Sequence, residues 1–323
     1  MQQLDLPTDG AYGMSGTTAS TVACLAGAGT APELMAEASL ALDAVARLHG
    51  FTLEQVHAPF GAVAHARLGQ SVPPSTRSAL LGADAVLVAG AEEPALADVM
   101  SELDLRARVT RVRFGHHDDV AFVTALEETS EEWAMEWAFR LAESRTLRLA
   151  VVGDDEWREL ADGTAAAFEH VHVEHLSPRI ALPLAAFQAS RFDVVAVAPA
   201  WAEPMVEIAA APAADRVAAH ALLAGHGPSL FVPSPDGGFA LAGTGSVNPS
   251  SMLLAAALAL ELGLGRPAAA ATLAGAVSAA LVDGPRTPDL LRHGVAATTR
   301  EFTSRVLAGF QVSVRNAEFW PAT

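Results

Sequence analysis

Lysine is absent from all 323 residues, so the 20 basic side chains are all arginine. No proton relay in this chain can run through an ammonium group, whatever the alignment. Tyrosine occurs once, as Tyr12 in a Gly/Ser/Thr-rich leader, and cysteine once, as Cys24. A single cysteine forms no internal disulfide, and within the apolar run TVACLAG it reads as a small buried strand residue, in keeping with a reducing cytoplasm. There is no G-x-S-x-G, no cysteine with an evident partner and no G-x-x-x-x-G-K, which leaves hydrolase and phosphoryl-transfer readings without support. Aromatics make up only 6% of the chain, which disfavours a β-sandwich. No apolar run reaches membrane-spanning length before Gly, Pro or a charge interrupts it, and the N-terminus lacks the basic start and apolar core of a secretion signal. The expectation is a soluble, cytoplasmic protein.

What is present is apolar and acidic. Half the residues (51%) are hydrophobic, mostly alanine, leucine and valine, and this supports helices packed on a parallel sheet in one large domain or two lobes. A net charge of -17 repels nucleic-acid backbones and anionic lipid alike. The leader, residues 1–20, is polar and glycine-rich enough to predict a flexible segment up to about Thr21.

From Thr21 the pattern runs strand, glycine turn, helix: TVACLAG, AGTAP, then ELMAEASLALDAVARLHG, ended by Gly50. A second strand is predicted over Thr52 to His57, a helix from Pro74 and a buried parallel strand in ADAVLVAGA. Between Arg106 and Arg113 four arginines alternate with small or apolar residues, which predicts a strand with one wet face, and FGHHDD turns the chain. An amphipathic helix, EEWAMEWAFRLAESR, precedes the strand LRLAVVG, a helix from Asp154, the His-rich strand EHVHVEHL, another helix and the buried strand FDVVAVAP. The tail holds a glycine-rich loop, PSPDGGFALAGTGSVNPSS, two alanine-rich helices and a predicted last strand near FQVSVR.

Several of these segments, in order, resemble the isopropylmalate and isocitrate dehydrogenase family, the metal- and NAD(P)-dependent β-decarboxylating dehydrogenases. GAGTAPELMAEA is similar to that family's first glycine loop and helix, and APFGAVAHARLGQSVPPST to its second strand and turn. ADAVLVAGA is similar to its next buried strand, and AFRLAESR to the helix before its second sheet half. FDVVAVAP resembles a strand flanking its metal site. GFALAGTGSVNPSSMLLAAALALELG, with DGPRTPDL through ATTREF, resembles its adenosine loop, following helices and closing strand. The resemblance implies a two-lobed α/β fold with a mostly parallel central sheet. Residues 21–105 with 215–323 would form the first lobe and 106–214 the second.

It also implies roles that few residues here can fill. The family's substrate-gripping arginines fall near Met100, Thr110 and Leu126, although Arg106, Arg108, Arg111 and Arg113 stand close by. Its tyrosine falls nearest Trp133 and its lysine near Ala150 or Val151. Two of its three metal-binding aspartates correspond to Glu203 and Glu207, four apart and on one helical face; the third corresponds to Arg179. Two carboxylates can hold Mg²⁺ if substrate adds oxygens. Glu203 before Pro204 equally fits an acidic helix start, and Arg179 could pair with either glutamate in place of a metal. The glycine frame of the cofactor loop persists in Gly243, Gly245 and Asn248, as does that of the first loop in Gly27 and Gly29. The adenine-facing and ribose-binding places read Pro235 and Ala240, with Asp236 nearby as a substitute or a simple turn residue.

Outside the resemblance, His116, His117, Asp118 and Asp119 form the densest run of possible ligands, although most such runs are solvated turns. His170, His172 and Glu174 at period two would present one strand face to a cation or to water. The expected function is a divergent relative that has lost NAD-dependent oxidative decarboxylation and serves in ligand binding, scaffolding or regulation. The alternatives are a repurposed enzyme using Glu203, Glu207, Asp118 or His117 as acid or base, and an NAD- and Mg²⁺-dependent decarboxylase of a 2-hydroxy acid. The first needs no cofactor; NAD and Mg²⁺ come in only through the resemblance. Expected partners are a small molecule in the interlobe cleft and a second copy or an active homologue, with neither nucleic acid nor membrane.

Overall fold

The computed structural model describes residues 19–90, 94–114, 118–211, 217–234, 238–291 and 295–319, without the side chains of 118, 238–239 and 311–319. The strands are β1 (Ser20–Ala26), β2 (Leu53–Pro59), β3 (Ala85–Ala89), β4 (Leu105–Phe114) and β5 (Asp118–Ala125), followed by β6 (Arg148–Val152), β7 (His172–Leu176), β8 (Val194–Val197), β9 (Val217–Ala224) and β10 (Ser229–Pro233). They form one ten-stranded sheet in the order β2-β1-β3-β10-β9-β4-β5-β8-β6-β7. Pairing is parallel at both ends, and only the central pairs β10–β9, β9–β4 and β4–β5 are antiparallel. The leader lies outside the described residues apart from its last two.

The helices are α1 (Ala31–His49), α2 (Gly61–Leu68), α3 (Pro74–Leu81), α4 (Ala95–Ser101), α5 (Glu131–Glu143) and α6 (Asp155–Ala165), then α7 (Pro178–Gln188), α8 (Pro199–Ala210), α9 (Ser250–Leu258), α10 (Pro267–Asp283) and α11 (Thr299–Phe319). Local rules place most of them. In α1 the buried residues Leu34, Ala38, Ala41, Leu42 and Val45 recur at three and four, and Gly50, at φ 70°, closes the helix by donating to the Ala46 carbonyl. Asp154 caps α6 by accepting from the Trp157 backbone at 3.0 Å.

Strand alternation sorts the side chains onto two faces. On one, Val22, Cys24, Leu87, Ala107, Val109, Ala121, Val151 and Phe231 join the largest core cluster, under α1, α5, α6, α9, α10 and α11. Cys24 is buried there, and burial pushes its thiol up to about 12, so it is an inert core residue. On the other face there are two separate clusters. Leu25, Val86, Val88 and Leu222 pack with residues of α3 and α4, while Val112, Phe122, Ala150 and Val195 pack with α7 and α8.

Three expectations are corrected. FQVSVR belongs to the final helix, α11, because it continues the period begun by the buried Phe302, Val306 and Phe310; read alone, its two valines mimic a strand. His170 lies in a turn before β7, so it shares no strand face with His172 and Glu174. The four arginines do not line one wet face. Arg106 and Arg108 differ in parity from Arg111 and Arg113, and β4 lies inside the sheet between β9 and β5.

Arg111 and Arg113 are therefore driven into the largest core, where a guanidinium needs counter-charges. Arg111 grips Glu261 with both terminal nitrogens (2.8 and 2.6 Å) and lies 3.3 Å from Asp119. Glu261 is in a π-helical turn, Ala259–Gly263, that follows α9. Asp119 also receives Arg145 at 2.7 Å, and Arg145 reaches Asp193 at 2.5 Å. Arg113 donates to the Ser278 hydroxyl of α10. Burial raises the Asp119 pKa, but Arg111 and Arg145 more than offset this and hold its carboxyl below the usual range. Asp119 is thus part of a buried ion network, not of a solvated turn.

Arg145→Met should leave two buried carboxylates facing each other and cost about 3–5 kcal/mol. Arg158→Met removes only a surface partner of the exposed Asp155 and should cost under about 1 kcal/mol. Urea titrations of both variants check the contrast.

Candidate functional site

Between the two smaller clusters, the middle of the sheet presents polar side chains. Cross-strand register aligns Thr124, Arg108 and Leu222 in one row and Phe122, Thr110 and His220 in the next, all on the face opposite the ion network. Glu203 comes down from α8 and its carboxylate accepts from Arg108 Nη1 at 2.5 Å. The glutamate side chain is 60% exposed and the arginine 22%. Thr110 Oγ1 and His220 Nδ1 lie 2.8 Å apart. Arg108 Nε and Thr124 Oγ1 are buried without a partner among the described residues. Polar atoms so placed raise the cost of leaving the seam empty of hydrogen-bonding groups.

Burial, helped by Arg108 and opposed by Glu203, pushes the His220 imidazole down to about 4. The ring is neutral at physiological pH and can give one nitrogen to Thr110 while the other acts as a donor or acceptor, according to tautomer. The formal charge of the seam is one guanidinium against one carboxylate.

The residues singled out from the sequence are distributed unevenly. Glu203 and Glu207 both lie on α8, but the helix starts at Pro199, so Glu203 sits a turn inside it and is not an acidic helix start. Pro199 supplies the start signal and Pro204 is carried in the helix interior. Glu207 is exposed, and Arg179, in the first turn of α7, is exposed and pairs with neither glutamate. Met100 and Leu126 pack against an apolar cluster, Ala150 is buried in the other, and Trp133 is buried on the opposite sheet face. Glu174 on edge strand β7 is held by Arg191 at 2.7 Å. His116, His117 and Asp236 lie outside the described residues, and of Asp118 only the backbone, opening β5, is described.

A divalent cation does not fit what is here. The Glu203 carboxylate is engaged by a guanidinium, and no group of three His, Cys, Asp or Glu residues is arranged to hold a metal among the described residues. A dinucleotide fits no better. Gly243 (φ 72°) and Gly245 (φ 63°) turn their backbone N–H groups onto the Glu33 carboxylate of α1, each at 3.0 Å. Asn248 donates its backbone N–H to Asp289 and its side-chain amide to Thr287, both at 3.0 Å, and its Oδ1 accepts from the Ser250 backbone at 2.9 Å. Gly27 donates to Ala89 at 3.0 Å, and Gly29 takes φ 67° before α1. The glycines of both loops thus build one tethered corner of the scaffold. The ribose-binding place, Ala240, is a methyl group without an acceptor.

Sequence reasoning missed His220, Thr124 and Glu33. A lone histidine in the apolar run VAAHALLA was the available signal for the first. Thr124 carries no signal until register pairs it with Arg108, and Glu33 needs the fold to meet residues over 200 positions away.

Because the folded-state His220 pKa lies below its unfolded value, the unfolded chain binds the extra proton first. Stability should fall as pH drops from about 6.5 to about 4, by on the order of 3 kcal/mol. His220→Asn should flatten that part of the profile, as read by urea unfolding at stepped pH.

Residues 210–306 match the family model described as isocitrate/isopropylmalate dehydrogenase. A 3-isopropylmalate dehydrogenase of Synechococcus sp. (strain CC9605) is 29% identical over 84% of this chain and 94% of its own length. One from Lactococcus lactis subsp. lactis (strain IL1403) is 26% identical over 90% and 99%. The structure of a β-decarboxylating dehydrogenase from Thermococcus kodakarensis superposes with a TM-score of 0.79 at 19% identity, covering 94% of this chain and all (100%) of that one. An isocitrate dehydrogenase from Methylococcus capsulatus gives 0.76 at 17% identity, covering 90% and 99%. The ten-stranded sheet, the order of the glycine loops and these matches agree: the chain has the fold of the isocitrate/isopropylmalate dehydrogenases and is similar to them in sequence, with their family model matching residues 210–306.

Proposed function

We propose that this chain has given up the NAD-dependent oxidative decarboxylation of its family and uses the seam around Arg108 and His220 to bind a small molecule, as a ligand-binding, scaffolding or regulatory relative. The observation that carries the reading is the Arg108–Glu203 ion pair, formed where the resemblance puts a metal-binding carboxylate. Oxidising a hydroxy acid requires a group that takes the hydroxyl proton as hydride leaves, and loss of carbon dioxide requires a cation to stabilise the enolate. NAD and Mg²⁺ would supply hydride acceptance and charge stabilisation in a member that binds them. Here lysine is absent, the one tyrosine is Tyr12 in the leader, and the carboxylate is neutralised internally. What the chain's own residues can do at the seam is bind and orient: Arg108 attracts negative charge, and His220 with Thr110 offers a neutral hydrogen-bonding edge.

A second reading, a repurposed enzyme, draws on one observation, the buried imidazole hydrogen-bonded at Nδ1 and set beside a guanidinium. Glu203, Glu207 and Asp118 are its remaining acid or base candidates.

The proposal extends to partners. On the outer faces of α7 and α8, Ile180, Phe187 and Trp201 are 55%, 86% and 38% exposed, an apolar surface suited to a second copy or to a homologue.

Thermal unfolding with millimolar NAD, NADP and Mg²⁺, singly and together, should show no shift, since a ligand binding the native state at 100 times its Kd adds about 2.7 kcal/mol. Micromolar cofactor binding accompanied by reduction of a 2-hydroxy acid and release of carbon dioxide would overturn the reading. For the partner surface, Phe187→Glu should convert a dimer to a monomer in light scattering without lowering the melting temperature; an unchanged molar mass places the interface elsewhere.

A further inference from the structure

Glu203 is a carboxylate seated on a guanidinium that has few other partners, and the contact is poorly protected. Its side chain is 60% exposed on a helix surface, a setting in which water and salt screen an ion pair strongly. Arg108, by contrast, is held in the sheet floor, with Nε buried and unpartnered among the described residues. Beside it Thr124, nine-tenths buried, has a hydroxyl in the same condition. The His220 imidazole stands on the adjacent row with Nδ1 engaged by Thr110. The fixed half of the pair is the arginine, and the replaceable half is the carboxylate.

The charge around it limits what could replace Glu203. Arg106, the next cation along β4, is taken up by Asp104 through three contacts of 2.8–3.2 Å, and Asp104 also pairs with His226. His220 is neutral. Arg111 and Arg113 lie on the other face of the sheet, neutralised there by Glu261 and Asp119. One guanidinium balances one negative charge, and a second carboxylate would be desolvated without a partner. Phe122 and Leu222 flank the polar pair, and Leu126 and Met100 pack at the edge of the neighbouring cluster, so the walls around the charge are aliphatic or aromatic.

The geometry points to a binding site for a small aliphatic monocarboxylate on Arg108, Thr124 and His220, with Glu203 acting as a built-in competitor that occupies the guanidinium until the ligand displaces it. This rests on the reading of the seam as a binding site and adds the class of ligand and the means by which the empty site is kept closed. The ligand's two oxygens would take the terminal guanidinium nitrogen released by Glu203 and the Thr124 hydroxyl, and its short apolar tail would take the place of the displaced Glu203 side chain. No covalent step is involved.

Isothermal titration with isovalerate tests this on the full-length protein. Glu203→Gln and Glu203→Ala should each bind isovalerate at least tenfold more tightly than the parent, because the competitor is gone. Arg108→Gln should abolish the heat, and Thr124→Val, nearly the same shape, should weaken binding several-fold. Isovaleramide, the neutral isostere, should not bind, and 2-methylsuccinate, a dianion, should bind more weakly than isovalerate. In nitrogen-15 spectra of the histidine-labelled Glu203 variants, the His220 ring resonances should move with isovalerate, which a purely structural role for Glu203 would not produce. Equal isovalerate affinity in the parent and both Glu203 variants, or full affinity in Arg108→Gln, overturns the inference. Cofactor turnover measured on the same preparations separates the two levels. Hydride transfer to NAD with a 2-hydroxy acid sinks the proposed function, while its absence together with no isovalerate binding sinks only the site assigned here.

Discussion

A guanidinium inside a protein must meet a counter-charge, and β4 carries Arg108, Arg111 and Arg113 through the middle of a ten-stranded sheet. Much of the architecture around the seam follows from how that demand is met on each face. On the closed face, Arg111 recruits Glu261 and Asp119, and Asp119 recruits Arg145, which recruits Asp193. This string of charges links the π-turn after α9, β4, β5, the end of α5 and the entry to β8, elements that the resemblance assigns to different lobes. These paired charges add directional contacts to the apolar packing that already sets the register of the strands.

On the open face the demand is met only in part. Arg108 finds a single exposed glutamate, and its Nε finds no partner among the described residues. The difference arises from coverage. The closed face is roofed by α9, α10 and α5 where β4 passes beneath, whereas on the open face the two helix sets bury separate core clusters on either side of Arg108. The same strand thus carries an arginine pair enclosed in the core and a third arginine met by a single exposed carboxylate. Parity along the strand, with Arg108 even and Arg111 odd, decides which is which.

How much of this was legible in the sequence depended on the range of the interaction. Helix periodicity, Gly50 as a stop and the buried strands AVLVA and VVAV are local signals, and they placed the elements correctly. The arginine alternation failed because R-A-R and R-V-R are separated by Val-Thr, which moves the second pair to the other face, and composition alone cannot show that both faces are covered. FQVSVR failed because a six-residue window with two valines at period two ignores the helical period to its left. At the site, Glu203 was visible through the resemblance. Its true partner, Arg108, lies 95 residues away and becomes its neighbour only when α8 packs over β4 and β5. Gly243 and Gly245 were recognisable as a loop, but not as ligands of Glu33, since that contact joins segments more than 200 positions apart.

The choice of glutamate at position 203 carries one more step. A metal-binding carboxylate must leave room for an ion between itself and its substrate, whereas a carboxylate paired to arginine closes that gap with its own reach. Glutamate is one methylene longer than aspartate, and from a full turn inside α8 it reaches the β4 guanidinium directly. The length of this side chain therefore disfavours an ion in the seam, with Arg108 as the centre of positive charge on that floor. A ligand recruited by such a centre would be recognised by its own negative charge and would need no metal as intermediary.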